Sequence, residues 1–141
     1  MPCFRFVVRF SVLAACVLGL GGCSGGEKLY PVAGMVAVAG EPLTFGGVSF
    51  RPAADKGNTT AHQPTGRIDS NGRYELLTGT KSGAPPGWYR VVVLANPSLA
   101  PSMAAPKFAT NIKYTREETT DILLEVVANP SPNAYDLHLT K

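Results

Sequence analysis

Cys23 is the residue whose chemistry stands out first, because it closes the run Leu18-Gly19-Leu20-Gly21-Gly22-Cys23 behind an apolar stretch. Side chains able to do acid, base or metal chemistry are otherwise scattered. Asp136 and His138 stand two apart on an expected strand and share its outer face, which offers two metal ligands. A metal site needs three or four, and His62 belongs to a separate polar loop, so the pair reads as structural or solvent-facing and no metal is expected. Asp69-Ser70-Asn71-Gly72 begins as a calcium loop does, but the alternating acidic positions and the later glutamate are missing, which leaves turn chemistry. Within residues 30 to 141 no serine lies in a Gly-x-Ser-x-Gly setting with a histidine and an acid to activate it. Glu117 and Glu118 are neighbours, so they point apart and solvate an exposed segment rather than form an acid/base couple. No catalytic residue and no cofactor is expected.

The elements around Cys23 decide what it does. Arg5 and Arg9 are the only charges before Glu27, and Phe10 to Leu20 then runs apolar for 11 residues. That is short of the roughly 17 to 25 residues a membrane-crossing helix needs. A positive start, a short apolar centre and small residues before a cut describe a secretory signal. Its close, Leu20-Gly21-Gly22-Cys23, resembles the lipobox of bacterial lipoproteins. The resemblance implies cleavage before Cys23 and a triacylated, palmitate-type anchor on that residue. One acyl chain holds a protein only marginally, whereas several hold it stably. Residues 1–22 are then a signal peptide, 23–29 a lipidated flexible linker and 30–141 a folded domain. Cys3 and Cys16 leave with the leader, so the mature chain has no disulfide to rely on. Asn58-Thr59-Thr60 matches the N-glycosylation triplet, to which a bacterial lipoprotein gives no presumption of use.

Removing 22 of 141 residues leaves 119, enough for one domain with a real core. Two of the 13 basic residues go with the leader, so 11 remain against 10 acids, and nothing suggests a nucleic-acid footprint. Glycine and proline make up 27 of the 141 residues, and short runs of Val, Ile, Tyr and Phe alternate with turn residues. That pattern predicts an all-β sandwich. Tyr30 to Val38 reads as a first strand with Val32, Gly34, Val36 and Val38 on one face. Val48-Ser49-Phe50-Arg51 reads as a half-buried strand ended by Pro52, and Thr65 to Leu76 as two strands around an Asn71-Gly72 turn. Gly79 to Gly87 reads as polar loop. Trp88 to Ala95 is the longest strand, with Tyr89, Val91 and Val93 inward and a mostly apolar opposite face, which suits a central strand or an outer face that something covers. Tyr114 to Thr120 is the best helical candidate, and Asp121 to Val127 and Ala134 to Leu139 supply the last strands.

Four pieces in this order carry a second likeness: Val32-Ala33-Gly34-Met35-Val36, Gly47-Val48-Ser49-Phe50-Arg51-Pro52, Asp69-Ser70-Asn71-Gly72-Arg73-Tyr74-Glu75-Leu76, and Pro86-Gly87-Trp88-Tyr89-Arg90-Val91-Val92-Val93. Together they resemble the carboxypeptidase-regulatory-like, or transthyretin-like, domain of many small bacterial lipoproteins. The resemblance implies a single immunoglobulin/transthyretin-like antiparallel β-sandwich of about seven strands, without catalytic residues. Transthyretin-fold enzymes of purine catabolism end in Tyr-Arg-Gly-Ser; this chain ends Asp136-Leu137-His138-Leu139-Thr140-Lys141, so their activity is not carried over.

The candidate binding surface is apolar: Trp88, Val92 and Leu94 on one strand face, with Leu99, Met103 and Phe108 in the Ala- and Pro-rich stretch that follows. These groups either bury one another or meet a partner. The expected function is a non-catalytic lipoprotein of the cell envelope, exported, held to a bacterial membrane by its lipid and facing the periplasm or the exterior. It acts as a structural or interaction module with an envelope protein or glycan partner. The alternative is a carbohydrate-binding or hydrolase-accessory module built on aromatic residues such as Trp88 and Tyr89.

Overall fold

The computed structural model of the chain describes residues 26–95 and 110–141. Among the described residues it is all-β: β1 Ala33–Val38, β2 Glu41–Pro42, β3 Gly47–Pro52, β4 Thr65–Arg67, β5 Arg73–Glu75, β6 Leu77–Thr78, β7 Lys81–Ser82, β8 Gly87–Leu94, β9 Leu123–Val126 and β10 Leu137–Leu139. Three of these ten segments, β2, β6 and β7, are two residues long, so the count exceeds the expected seven through short pieces rather than extra layers.

The segments form two sheets. One runs β7-β6-β4-β3-β8-β9, and the other runs β10-β1-β2 with β5 also on β1. β1 shares one edge between two partners, β5 along Ala33 to Met35 and β2 along Ala37 and Val38. On its other edge β10 runs parallel to it, Val36 opposite Leu137 and Val38 opposite Leu139. The expectation of a wholly antiparallel sandwich therefore fails at this pair.

Alternation explains the core. Val32, Val36 and Val38 from the β1 region, Leu137 and Leu139 from β10, Val48 and Phe50 from β3, and Tyr89, Val91 and Val93 from β8 all turn inward into one apolar cluster. The Phe50 and Tyr89 rings meet with centroids 5.7 Å apart at 46°, a tilted aromatic contact. β8 is central, as its two apolar faces implied: it pairs with β3 from Gly47–Leu94 to Pro52–Tyr89, and with β9 on its other side. β3 is not half-buried at Ser49, however. Ser49 and Val92 lie opposite each other across the ladder, and both are buried, at 8% and 3% exposure.

Three local readings change. The Asp69 to Gly72 turn forms, with Gly72 at φ 78, but its arms diverge: β4 pairs with β3 and β6, while β5 crosses to β1. Gly66 lets the arms pass, because a Cβ there would lie 2.4 Å from the Glu75 carbonyl oxygen. The Gly79 to Gly87 stretch, expected as loop, supplies the turn and second strand of a tight hairpin in which Leu77 faces Ser82 and Thr78 faces Lys81. The helix expected over Tyr114 to Thr120 is a single 3-10 turn, Ile112–Thr115, capped by Asn111. Threonines explain its brevity. Thr115 donates to the Ile112 carbonyl and Thr119 to that of Lys113, each at 2.7 Å, while Thr120 donates to Val91 of β8, all in competition with helical bonding.

Candidate functional site: the Trp88 cleft

The cleft is built where β8 begins. Gly87 has φ 136, and a Cβ there would lie 3.0 Å from the Asn58 side chain, so glycine allows both the backbone angle and the close packing. Asn58 is 6% exposed; its Nδ2 donates to the Trp88 carbonyl at 2.9 Å, and its Oδ1 accepts from the Thr60 amide at 3.2 Å. The Ala53 amide donates to the same Trp88 carbonyl at 2.9 Å. The 3-10 turn Ala54–Lys56, ended by Gly57 in the left-handed region, swings the loop so that Asn58 reaches back beneath Trp88.

Glu27 and Lys28, in the N-terminal spacer expected as a flexible linker, form the rim. Thr60 Oγ1 donates to Glu27 at 3.1 Å, and His62 Nε2 lies 3.2 Å from the other Glu27 oxygen. Lys28 Nζ sits 5.3 Å from the centre of the Tyr30 ring, and Tyr30 exchanges two 2.9 Å backbone bonds with Ala84. Glu125 of β9 stands opposite Trp88 in the ladder. The resulting open concavity of about 640 Å³ is lined by Trp88, Asn58, Glu27, Lys28, Lys56 and Glu125, among others. Its two ammonium groups balance its two carboxylates. Below it, Tyr89 donates to the Pro85 carbonyl at 2.9 Å, and burial pushes its phenol above the ordinary value. Alongside, Asp55 takes two bonds from Arg90, at 2.6 and 2.9 Å, and the hydrogen bond from Arg90 holds its carboxyl below the usual range. This arrangement can bind: it presents an aromatic ring, two cations and two anions around a floor hydrogen-bonded through Asn58.

A second concavity of about 700 Å³ lies between β1, β5 and the approach to β10. Its acids are committed to the fold. Asp69 Oδ1 accepts from the Asn71 and Arg73 amides at 2.8 and 2.9 Å, and Asp136 accepts from the Met35 amide at 2.9 Å. Glu75 accepts from the Ser82 hydroxyl. Tyr74 donates to the Tyr135 carbonyl at 2.6 Å, and burial raises its pKa far above the usual phenol range. Gly34 permits the approach, since a Cβ there would stand 2.3 Å from the Tyr135 oxygen.

Of the expected apolar surface, the described residues include Trp88, Val92 and Leu94. Trp88 is half-buried at the start of β8, Leu94 is 47% exposed at its end, and Val92 between them is buried. At about 3.3 Å per residue, six residues of strand put Trp88 and Leu94 roughly 20 Å apart. Leu99, Met103, Phe108 and Cys23 lie outside the described residues. His138 is exposed, while Asp136 serves Met35. Among the described residues no three His, Cys, Asp or Glu side chains gather as a metal would require, and no helix is long and apolar enough to cross a membrane. Asn58, the organising residue of the cleft, drew notice in the sequence only as a glycosylation triplet; an Asx turn at Asn58-Thr59-Thr60 was the available signal. Compared with protein-family models, curated proteins and solved structures, the chain matches none.

Proposed function

We propose that this chain is a non-catalytic, lipid-anchored module of the bacterial cell envelope. Cys23 carries the acyl chains, and a carboxypeptidase-regulatory-like, transthyretin-like sandwich supplies a structural or interaction surface facing the periplasm or the exterior. The observation that carries this reading is how the chemistry-bearing side chains are used. Asp69, Asp136 and Glu75 in one concavity, and Glu27, Thr60 and His62 beside the other, are engaged in hydrogen bonds or ion pairs that shape turns and hold the spacer. The lipobox-like Leu20-Gly21-Gly22-Cys23 supports the anchor. Fractionation of cells producing the full chain tests it: the wild type is expected with the membranes, and Cys23→Ala with the soluble fraction while keeping its β-type circular dichroism. Equal solubility of the two refutes the anchor. Cross-linking in those membranes is expected to trap an envelope protein on the domain.

A second reading has its own support. The half-buried Trp88 above a cleft of amide, hydroxyl and charged groups has the composition of a sugar-stacking platform, which favours a carbohydrate-binding or hydrolase-accessory role. Glycan-array binding abolished by Trp88→Ala would establish it.

A further inference from the structure

The spacer leaves the folded domain at one defined place. Glu27 is tied through Thr60 and His62 to the loop beneath Trp88, and both Glu27 and Lys28 line the Trp88 cleft. Cys23 precedes Glu27 by four residues, and four peptide steps span at most about 14 Å. A lipid on Cys23 therefore holds this end of the sandwich against the bilayer, while the Leu94 end stands roughly 20 Å further along β8.

From that placement we infer that the Trp88 cleft is a membrane-contact face, seated on the headgroups of a zwitterionic lipid surface. The inference rests on the lipid-anchor reading and adds to it an orientation and a ligand. Tryptophan favours the headgroup level, where its ring is in apolar surroundings and its N–H is wet. Lys28 and Lys56 suit lipid phosphates, and Glu125 suits the ammonium group of phosphatidylethanolamine, while Glu27 stays on Thr60 and His62. The balance of two cations and two anions gives no net pull toward an anionic surface, so the match is to paired charges rather than to a negative potential. The tether makes even a weak contact count. A short linker sets an effective concentration on the order of millimolar, so a contact too weak to bind vesicles on its own is still populated once the lipid is inserted.

The chain has one tryptophan, so its emission reports Trp88 alone. The full acylated protein is inserted into phosphatidylethanolamine vesicles containing a minority of phosphatidylglycerol, with or without bromine high on the acyl chains. The expected result is a loss of Trp88 emission in the brominated vesicles and protection from aqueous acrylamide. The unacylated Cys23→Ala protein shows neither with the same vesicles. Charge reversal by Lys28→Glu with Lys56→Glu is expected to lessen the quenching while circular dichroism is unchanged. An acylated protein whose Trp88 is equally bright in both vesicle types and open to acrylamide overturns the membrane contact and leaves the anchor standing. Emission that responds only to envelope glycan fragments overturns it in favour of a sugar site. An N-terminal peptide without acyl mass overturns anchor and contact together.

Discussion

Asn58→Ala is the sharpest test of how the cleft is held. The side chain is nearly enclosed and makes two bonds, one to the Trp88 carbonyl and one from the Thr60 amide. Truncation leaves the Trp88 carbonyl its bond from Ala53, but the Thr60 amide loses its partner. Each lost bond costs about 1 kcal/mol and a poorly satisfied group about 1 more, for a total of about 2 to 3 kcal/mol. In a domain of this size that lowers Tm by roughly 8 to 20 °C. Urea unfolding followed by Trp88 fluorescence reads both the stability and the floor of the cleft. Asn58→Asp sharpens the test, because an ionised carboxylate cannot donate to the Trp88 carbonyl. Its folded pKa would be raised, so the variant is expected to be weakest at neutral pH and to recover as pH falls through the carboxylate range. Stability of Asn58→Ala within about 0.5 kcal/mol of wild type, the range of an ordinary surface change, would refute the role given to Asn58.

Three other outcomes follow from single contacts. Ala39 and Gly40 connect β1 to β2 with φ of 50 and 86, a turn that suits Asn-Gly, so Ala39→Asn is expected to raise stability by about 0.5 to 1 kcal/mol in denaturant titration. Gly34→Ala places a methyl 2.3 Å from a backbone oxygen that cannot yield cheaply, and is expected to cost about 3 kcal/mol in the same assay. Tyr74 has its pKa raised by burial, then by Asp136 and Tyr135, so the unfolded chain gives up its proton first. The stability this contributes is whole below the ordinary phenol value of 10.0 and is lost as pH rises above it; urea midpoints measured across that range are expected to fall, and to fall less in Tyr74→Phe.

The sequence was most legible where strands alternate. Val32, Val36 and Val38 read as sharing one strand face, Tyr89, Val91 and Val93 read as inward, and all six are buried, because period two is a property of the strand itself. Asp69 and Gly72 were read as turn residues and do that work locally, but where the arms go depends on distant partners, so the passage of β5 to β1 was not visible. The same limit hid the parallel pairing of β10 with β1. The β6–β7 hairpin escaped because two residues carry no period. In the candidate site Trp88 is half-buried and Val92 is buried, and strand parity, which places both on one face, cannot tell a covered face from an open one. Asn58 shows in the sequence only through its triplet, because a buried amide has no composition signature; the loop that returns it under Trp88 gives it its role.

The proposed anchor on Cys23 is tested most directly by mass spectrometry of the N-terminal tryptic peptide from purified membranes. The prediction is a peptide that begins at Cys23, ends at Lys28 and carries the mass of its acyl chains. A peptide in which Cys23 is unmodified, or still joined to Gly22, would contradict it.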